Sequence, residues 1–192
     1  MIKKLLLCFV CLGIMVSCNQ QFKRIVSDKP IKSNIMGIEL GSTTDCTAIE
    51  STFSKETGKL FFSQKEKIGT SSVIRAFPLG LDVYYGGDSW TYIDVQLDGD
   101  SKVFYIAFVS SYESLDKAKE KFDAMSEQLH QKYGKGNNNG EQLIFWTDNT
   151  NSVGVYYEES SAINGNDRCF CTMYYTNIAL SDAFEESNVP DI

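Results

Sequence analysis

The chain has 192 residues, 43% of them hydrophobic and 22% charged, with a formal net charge of −7. That balance excludes a disordered polypeptide and is enough for a real core. With 25 acidic against 18 basic residues, it also argues against a nucleic-acid binder, which needs clustered Lys and Arg.

Residues 1–18 read MIKKLLLCFVCLGIMVSC. Lys3 and Lys4 precede an apolar run from Leu5 to Val16, the length of a leader core and too short to span a bilayer as a mature helix. Ser17, a small residue, stands directly before Cys18. This order resembles the bacterial lipoprotein signal, with Met15 where that family prefers Leu. The resemblance implies loss of residues 1–17, lipid (palmitate) on Cys18, and a cell-envelope address. NQQFKR after Cys18 contains no acid, and the resemblance then implies an outer-membrane anchor facing the periplasm. Residues 18–34 are polar and aperiodic and read as a lipidated tether. The mature chain carries 16 basic and 25 acidic residues, net −9, which sets the folded body against close contact with an anionic lipid surface.

The body follows as residues 35–180. IMGIELG (35–41) is a short extended segment. Ser42, Thr43 or Thr44 is expected to cap a helix with Asp45 in its first turn, Cys46, Ile49 and Phe53 on its apolar face, and Gly58 at its end. Leu60-Phe61-Phe62 and Val73-Ile74 suggest two short strands. From Trp90 to Leu97 the residues alternate with strand period, Asp98-Gly99-Asp100-Ser101 makes a turn, and Val103–Val109 returns as the second arm of a hairpin. Ser114 caps a long helix whose apolar positions are Leu115, Ala118, Phe122, Met125, Leu129 and Tyr133; Gly134 stops it. Strands are expected over 142–147, 152–157 and 168–178, with a polar loop at 158–167 and an acidic, fraying tail over 181–192.

Strands joined by tight turns must be antiparallel. The fold class is therefore α+β: two helix-plus-antiparallel-meander units, 35–110 and 111–180, with helices packed on one face of the sheet. GIELGSTTDCTAIESTF, the Trp/Tyr hairpin, the helix ending in KYG and the strand LIFWTD are together similar to uncharacterised lipoproteins of anaerobic gut bacteria. The tandem arrangement also resembles the beta-lactamase inhibitor protein and the small lipoproteins of the barrel-assembly machinery. These likenesses imply fold, and no functional residue beyond the lipid cysteine.

Three cysteines remain in the body. The best-fitting reading is three buried thiols; the one bridge that strand geometry leaves open joins Cys46 with Cys169 or Cys171, since the last two share a strand face. No cofactor or metal signature is present. His130 is the only imidazole and follows a core position on a helix, so no nucleophile–base pair can be assembled from motifs, and the chain reads as a non-enzyme. Asp98-Gly99-Asp100 lacks the glutamate that completes a calcium loop. The one excess is aromatic. Trp90, Tyr92, Trp146, Tyr156 and Tyr174 lie in strands and form the expected contact set of a protein-binding or inhibitor-like module, with a glycan-binding accessory protein as the alternative and an enzyme of unknown type as the third reading.

Overall fold

The computed structural model describes residues 24–80, 82–160 and 168–188. The expected leader, Cys18, most of the 158–167 loop and the last four residues lie outside them. The described chain is mixed α+β, with three helices and one large antiparallel sheet.

In chain order the elements are β1 (Asn34–Ile35), β2 (Ile38–Glu39), α1 (Cys46–Thr57), β3 (Phe61–Ile68), β4 (Ser71–Pro78), β5 (Val83–Tyr85), β6 (Asp88–Trp90), β7 (Tyr92–Leu97) and β8 (Val103–Tyr112). They continue with α2 (Leu115–Tyr133), β9 (Asn137–Asn138), β10 (Leu143–Thr147), β11 (Asn151–Ser160), β12 (Arg168–Asn177) and α3 (Ile178–Asn188). The large sheet runs β3-β4-β7-β8-β12-β11-β10-β9, while β1-β2 and β5-β6 are separate hairpins. The two longest strands of its middle, β8 and β12, pair antiparallel from Tyr105↔Thr176 to Tyr112↔Cys169.

Local chemistry explains the element ends. Asp45, not a residue before it, is the N-cap of α1: its Oδ1 accepts from the Ala48 N–H at 2.8 Å. Its short carboxylate reaches the third orphan amide of the first turn. Gly58 closes α1 at φ 70°, donating to Ser54 O, a conformation that a Cβ disfavours. Ser114 caps α2 as the sequence indicates. The Asp98 carboxylate accepts from Asp100 and Lys102 N–H groups and so holds the β7–β8 turn.

α1 and α2 cover one face of the sheet. Ile49 and Phe53 of α1 and Ala118, Phe122, Met125, Leu129 and Tyr133 of α2 join Ile74, Ile93, Val95, Ile106, Phe108, Val153, Val155 and Met173 in one core. The β5–β6 hairpin folds over the same face: Tyr85 stacks on Phe108 at 4.3 Å and Trp90 lies 6.0 Å from Phe108.

Three expectations are corrected. The helices do not all lie on one face, because α3 packs against β8 and β12 from the other side, stacking Phe184 on Phe104 at 5.0 Å. α3 also occupies Ile178–Asn188, where an acidic fraying tail was expected from residue 181. Burial of Phe184 gives that stretch the apolar anchor that its charge pattern conceals. Finally, residues 24–34 are no free tether. Ile25 N–H donates to Asn137 Oδ1 at 2.7 Å, Ser27 N–H to Thr147 O at 2.7 Å and Ile31 N–H to Asp148 Oδ2 at 2.7 Å. Val26 bridges Thr147 in parallel and Ile31 is buried.

Candidate functional site

The face opposite α1 and α2 carries two aromatic clusters. Pairing sets the first row across the strands: Phe62 faces Phe77, Tyr92 faces Val109, Val109 faces Thr172, Thr172 faces Tyr156 and Tyr156 faces Leu143. Side chains on one face of neighbouring strands touch in such rows. At one end Phe62 and Phe77 stack at 5.0 Å, and Phe77 meets Tyr92 at 5.6 Å. The next row holds Arg75 opposite Asp94, then Ala107, Tyr174 and Gly154. Tyr174 stacks on Tyr105 at 5.4 Å and lies 6.2 Å from Tyr156. Gly154 makes room for it: a Cβ there would stand 2.5 Å from the Tyr174 ring.

An ion pair stands between these clusters. Arg75 Nε and Nη2 donate to the two Asp94 carboxylate oxygens at 2.8 and 2.9 Å, and the guanidinium lies 4.8 Å over the Tyr92 ring. The Asp94 hydrogen bond raises the Arg75 pKa further, so this group is always charged. For Asp94, burial outweighs the Arg75 contact and its pKa is raised from the ordinary value.

The five aromatic residues expected to form one contact set are divided by the fold. Trp90 is fully buried on the helix-covered face, its Nε1–H donating to Tyr85 O at 2.9 Å. Trp146 is likewise buried there and donates to Gly134 O at 2.7 Å. Neither indole can meet a partner. Tyr92, Tyr156 and Tyr174 belong to the other face. Trp90 and Tyr92 separate because the chain changes sheets at Thr91: Trp90 pairs with Val83 in β6, and Tyr92 with Val109 in β7. The two-residue period that would align them holds only within one strand.

Trp90 is also held from above. Lys121 of α2 is buried, lies 4.1 Å over the indole, sits 2.9 Å from Asp88 Oδ1 and donates to Ser89 O. This cation joins α2 to the β5–β6 hairpin from a position three residues after Ala118 and four before Met125, at the border of the apolar stripe. Cys46, Cys169 and Cys171 are free thiols, so the Cys46 bridge is not formed. Cys46 starts α1, which packs on β3 and β4, whereas Cys169 and Cys171 are buried on β12 under α2. Burial pushes the Cys171 thiol up to about 12, which makes it an unreactive core group.

Sequence reasoning missed the most exposed apolar surface. Among the described residues the exposed large apolar or tyrosine side chains are Ile25, Val26, Leu60, Phe62, Leu79 and Tyr84. Leu60, Phe62 and Leu79, exposed by 70, 42 and 54%, sit together at the open end of the β3–β4 hairpin, where Leu79 N–H donates to Leu60 O. The signal was the pair of eight-residue runs flanking Gly69-Thr70, which places Phe62 opposite Phe77 once they are read as a hairpin.

Two hollows adjoin these surfaces. One, of about 280 Å³, is lined by Tyr105, Leu143, Tyr156, Tyr174, Glu141 and Glu158 among others. The other, of about 490 Å³, lies between Lys32, Asn34, Glu56, Lys59, Tyr84 and Tyr85. Among the described residues no group of three or more His, Cys, Asp or Glu could hold a metal ion, and no helix is long and apolar enough to cross a membrane. No protein-family model, curated protein or solved structure matches this chain.

Proposed function

We propose that this chain is a lipid-anchored cell-envelope protein whose body binds a protein partner through the end of the sheet formed by β3, β4 and β7. The observation that carries this reading is the exposed cluster Leu60, Phe62 and Leu79, continued by Phe77 and Tyr92 and bordered by the Arg75–Asp94 pair. Aliphatic and aromatic anchors beside a fixed guanidinium are the chemistry of a protein contact centre. The same cluster adjoins β3, an edge strand of the sheet, so an extended partner segment could add main-chain hydrogen bonds to the apolar contact. The anchor rests on the N-terminal pattern ending in Ser17-Cys18. The arrangement as two helix-plus-meander units is part of the proposal: β3-β4-β7-β8 and β12-β11-β10-β9 each keep chain order in the sheet, each preceded by a helix. No catalytic role is assigned.

Crosslinking in intact envelopes tests the contact. Wild type and a Tyr84→Ser control should yield the same crosslinked species, and Leu60→Ser/Phe62→Ser/Leu79→Ser should lose it while keeping its melting temperature. Identical species from all three sinks the proposal. Palmitate labelling that persists in Cys18→Ala removes the anchor.

Glycan binding is the second reading, favoured by the 280 Å³ hollow. Its lining combines the aromatic residues Tyr105, Tyr156 and Tyr174 with the hydrogen-bonding groups of Asn139, Glu141, Gln142 and Glu158. Calorimetric titration with envelope and dietary glycans should then give heat that Tyr156→Ala abolishes.

A further inference from the structure

The second exposed apolar pair, Ile25 and Val26, lies at the opposite edge of the sheet from Leu60 and Phe62. Their exposures are 39 and 49%. They are not loosely attached: Ile25 exchanges two hydrogen bonds with the Asn137 side chain, at 2.7 and 2.8 Å, and Val26 bridges Thr147. The segment also crosses the end of α2, where Ser27 Oγ–H donates to Tyr133 O.

The charges gathered there oppose the charge of the whole chain. Arg24 and Lys29 are exposed on the segment, and Lys132, Lys135 and His130 are exposed at or just beyond the end of α2. Arg24 lies 5.7 Å over the Phe145 ring, and Lys132 4.8 Å over Tyr133. Acids also lie nearby: Asp28 is exposed on the segment, Glu127 is exposed on the last turns of α2 and accepts from Gln131, and the Asp148 carboxylate accepts from Ile31, Thr150 and Asn151 N–H groups.

Only residues 19–23 separate the proposed lipid cysteine from Arg24. The six residue-to-residue steps from 18 to 24 reach at most about 20 Å when fully extended. A body held that closely cannot turn freely, and the part that meets the headgroups first is the part from which residue 24 emerges.

We propose that Ile25 and Val26, ringed by Arg24, Lys29, Lys132 and Lys135, seat the body on an anionic phospholipid surface. The apolar pair enters the interface and the cations meet phosphate, each basic group near such a surface adding attraction that falls off within a Debye length. Net charge alone argues against such contact; the local arrangement reverses it. The opposite edge, with Leu60, Phe62 and Leu79, is thereby left pointing away from the membrane. The inference rests on the anchored reading for its geometry, but the seat itself is a property of the folded surface.

The test uses the chain from residue 18 onward, which keeps every described residue, with Cys18→Ser so that no lipid contributes. Co-sedimentation is measured with phosphatidylcholine vesicles and with vesicles containing phosphatidylglycerol. The expected result is binding to the anionic vesicles only, weakened by salt, and reduced about tenfold or more in Arg24→Glu/Lys132→Glu/Lys135→Glu. Lys55→Glu/Lys65→Glu/Lys67→Glu, a reversal of equal charge at exposed positions on and beside the other edge strand, should leave it unchanged, and Ile25→Ser/Val26→Ser should lower what remains in high salt. No binding to anionic vesicles, or equal loss in both charge reversals, overturns the proposal. Loss of the anchor is read separately by palmitate labelling and leaves this measurement intact.

Discussion

The two faces of the sheet are built from similar residues and end differently. Under α1 and α2 the large side chains Trp90, Phe53, Phe108 and Trp146 are sealed into one core. On the other face Phe62, Phe77 and Tyr92 stack just as closely, yet Phe62 stays exposed and the other two half-buried. The difference is not residue type but cover. α3 reaches Phe104 near the centre of the sheet, whereas α1 and the β5–β6 hairpin sit on the side away from Phe62. An aromatic side chain therefore reports a function only after the element above it is known.

The sharpest way to break this contrast is to truncate one ring on each face. Trp90→Ala should cost about 3–5 kcal/mol, because it leaves a cavity under Lys121 and removes the ring face on which that cation sits; urea unfolding measures it. Phe62→Ala should cost well under that and change the melting temperature little. Equal losses would mean that the second face is also a closed core.

Gly154→Ala tests the crowding on the second face. Its methyl would meet the Tyr174 ring, and the Tyr105–Tyr174 stack must shift, at about 1–3 kcal/mol. A neutral result would show that the tyrosine cluster is loose enough to yield.

Asp148 joins residues 24–34 to the body, and its loss should cost about 2 kcal/mol. Burial raises its pKa, but the backbone N–H groups of Asn151, Ile31 and Thr150 outweigh that and hold it below the ordinary value of 3.8. The folded form thus binds its proton less readily than the unfolded chain. Its contribution is complete above the ordinary carboxylate pKa and fades as pH falls through the folded value. The gap in urea midpoint between wild type and Asp148→Ala should accordingly be wide at neutral pH and narrow in acid.

The smallest stability effect belongs to Leu60→Ser/Leu79→Ser, expected within about 0.5 kcal/mol of wild type, as for exposed residues without partners to strand. Its consequence should appear in crosslinking alone, which separates a contact surface from a structural one.

Much of the architecture was legible in the residues themselves. The α2 spacing from Ala118 to Tyr133, its Ser114 cap and its Gly134 stop, and the Asp98–Ser101 turn all depend on bonds within a few positions. So do the antiparallel directions of β3–β4, β7–β8 and β10–β11, because short turns leave no other choice; the β4–β7 and β8–β12 pairings come from the tertiary fold. The two helices covering one face also follow from their apolar stripes.

The candidate site was legible only in part, for a physical reason visible at three positions. Trp90 and Tyr92 share a strand period in the sequence, but a change of pairing partner at Thr91 sends them to opposite faces. Lys121 reads as a solvent residue and is buried, because Asp88 and a backbone carbonyl await it on another element. Phe184 lies in an acidic stretch and becomes the anchor of α3 through Phe104, 80 residues earlier. By itself the sequence determined composition, local elements, turn chemistry and the N-terminal pattern ending in Cys18. Tertiary structure alone decided which rings are sealed, where the cations of an acidic chain collect, and that residues 24–34 are bound to the body. Propensity and spacing act over a few residues, whereas exposure is set by whatever the rest of the chain lays on top.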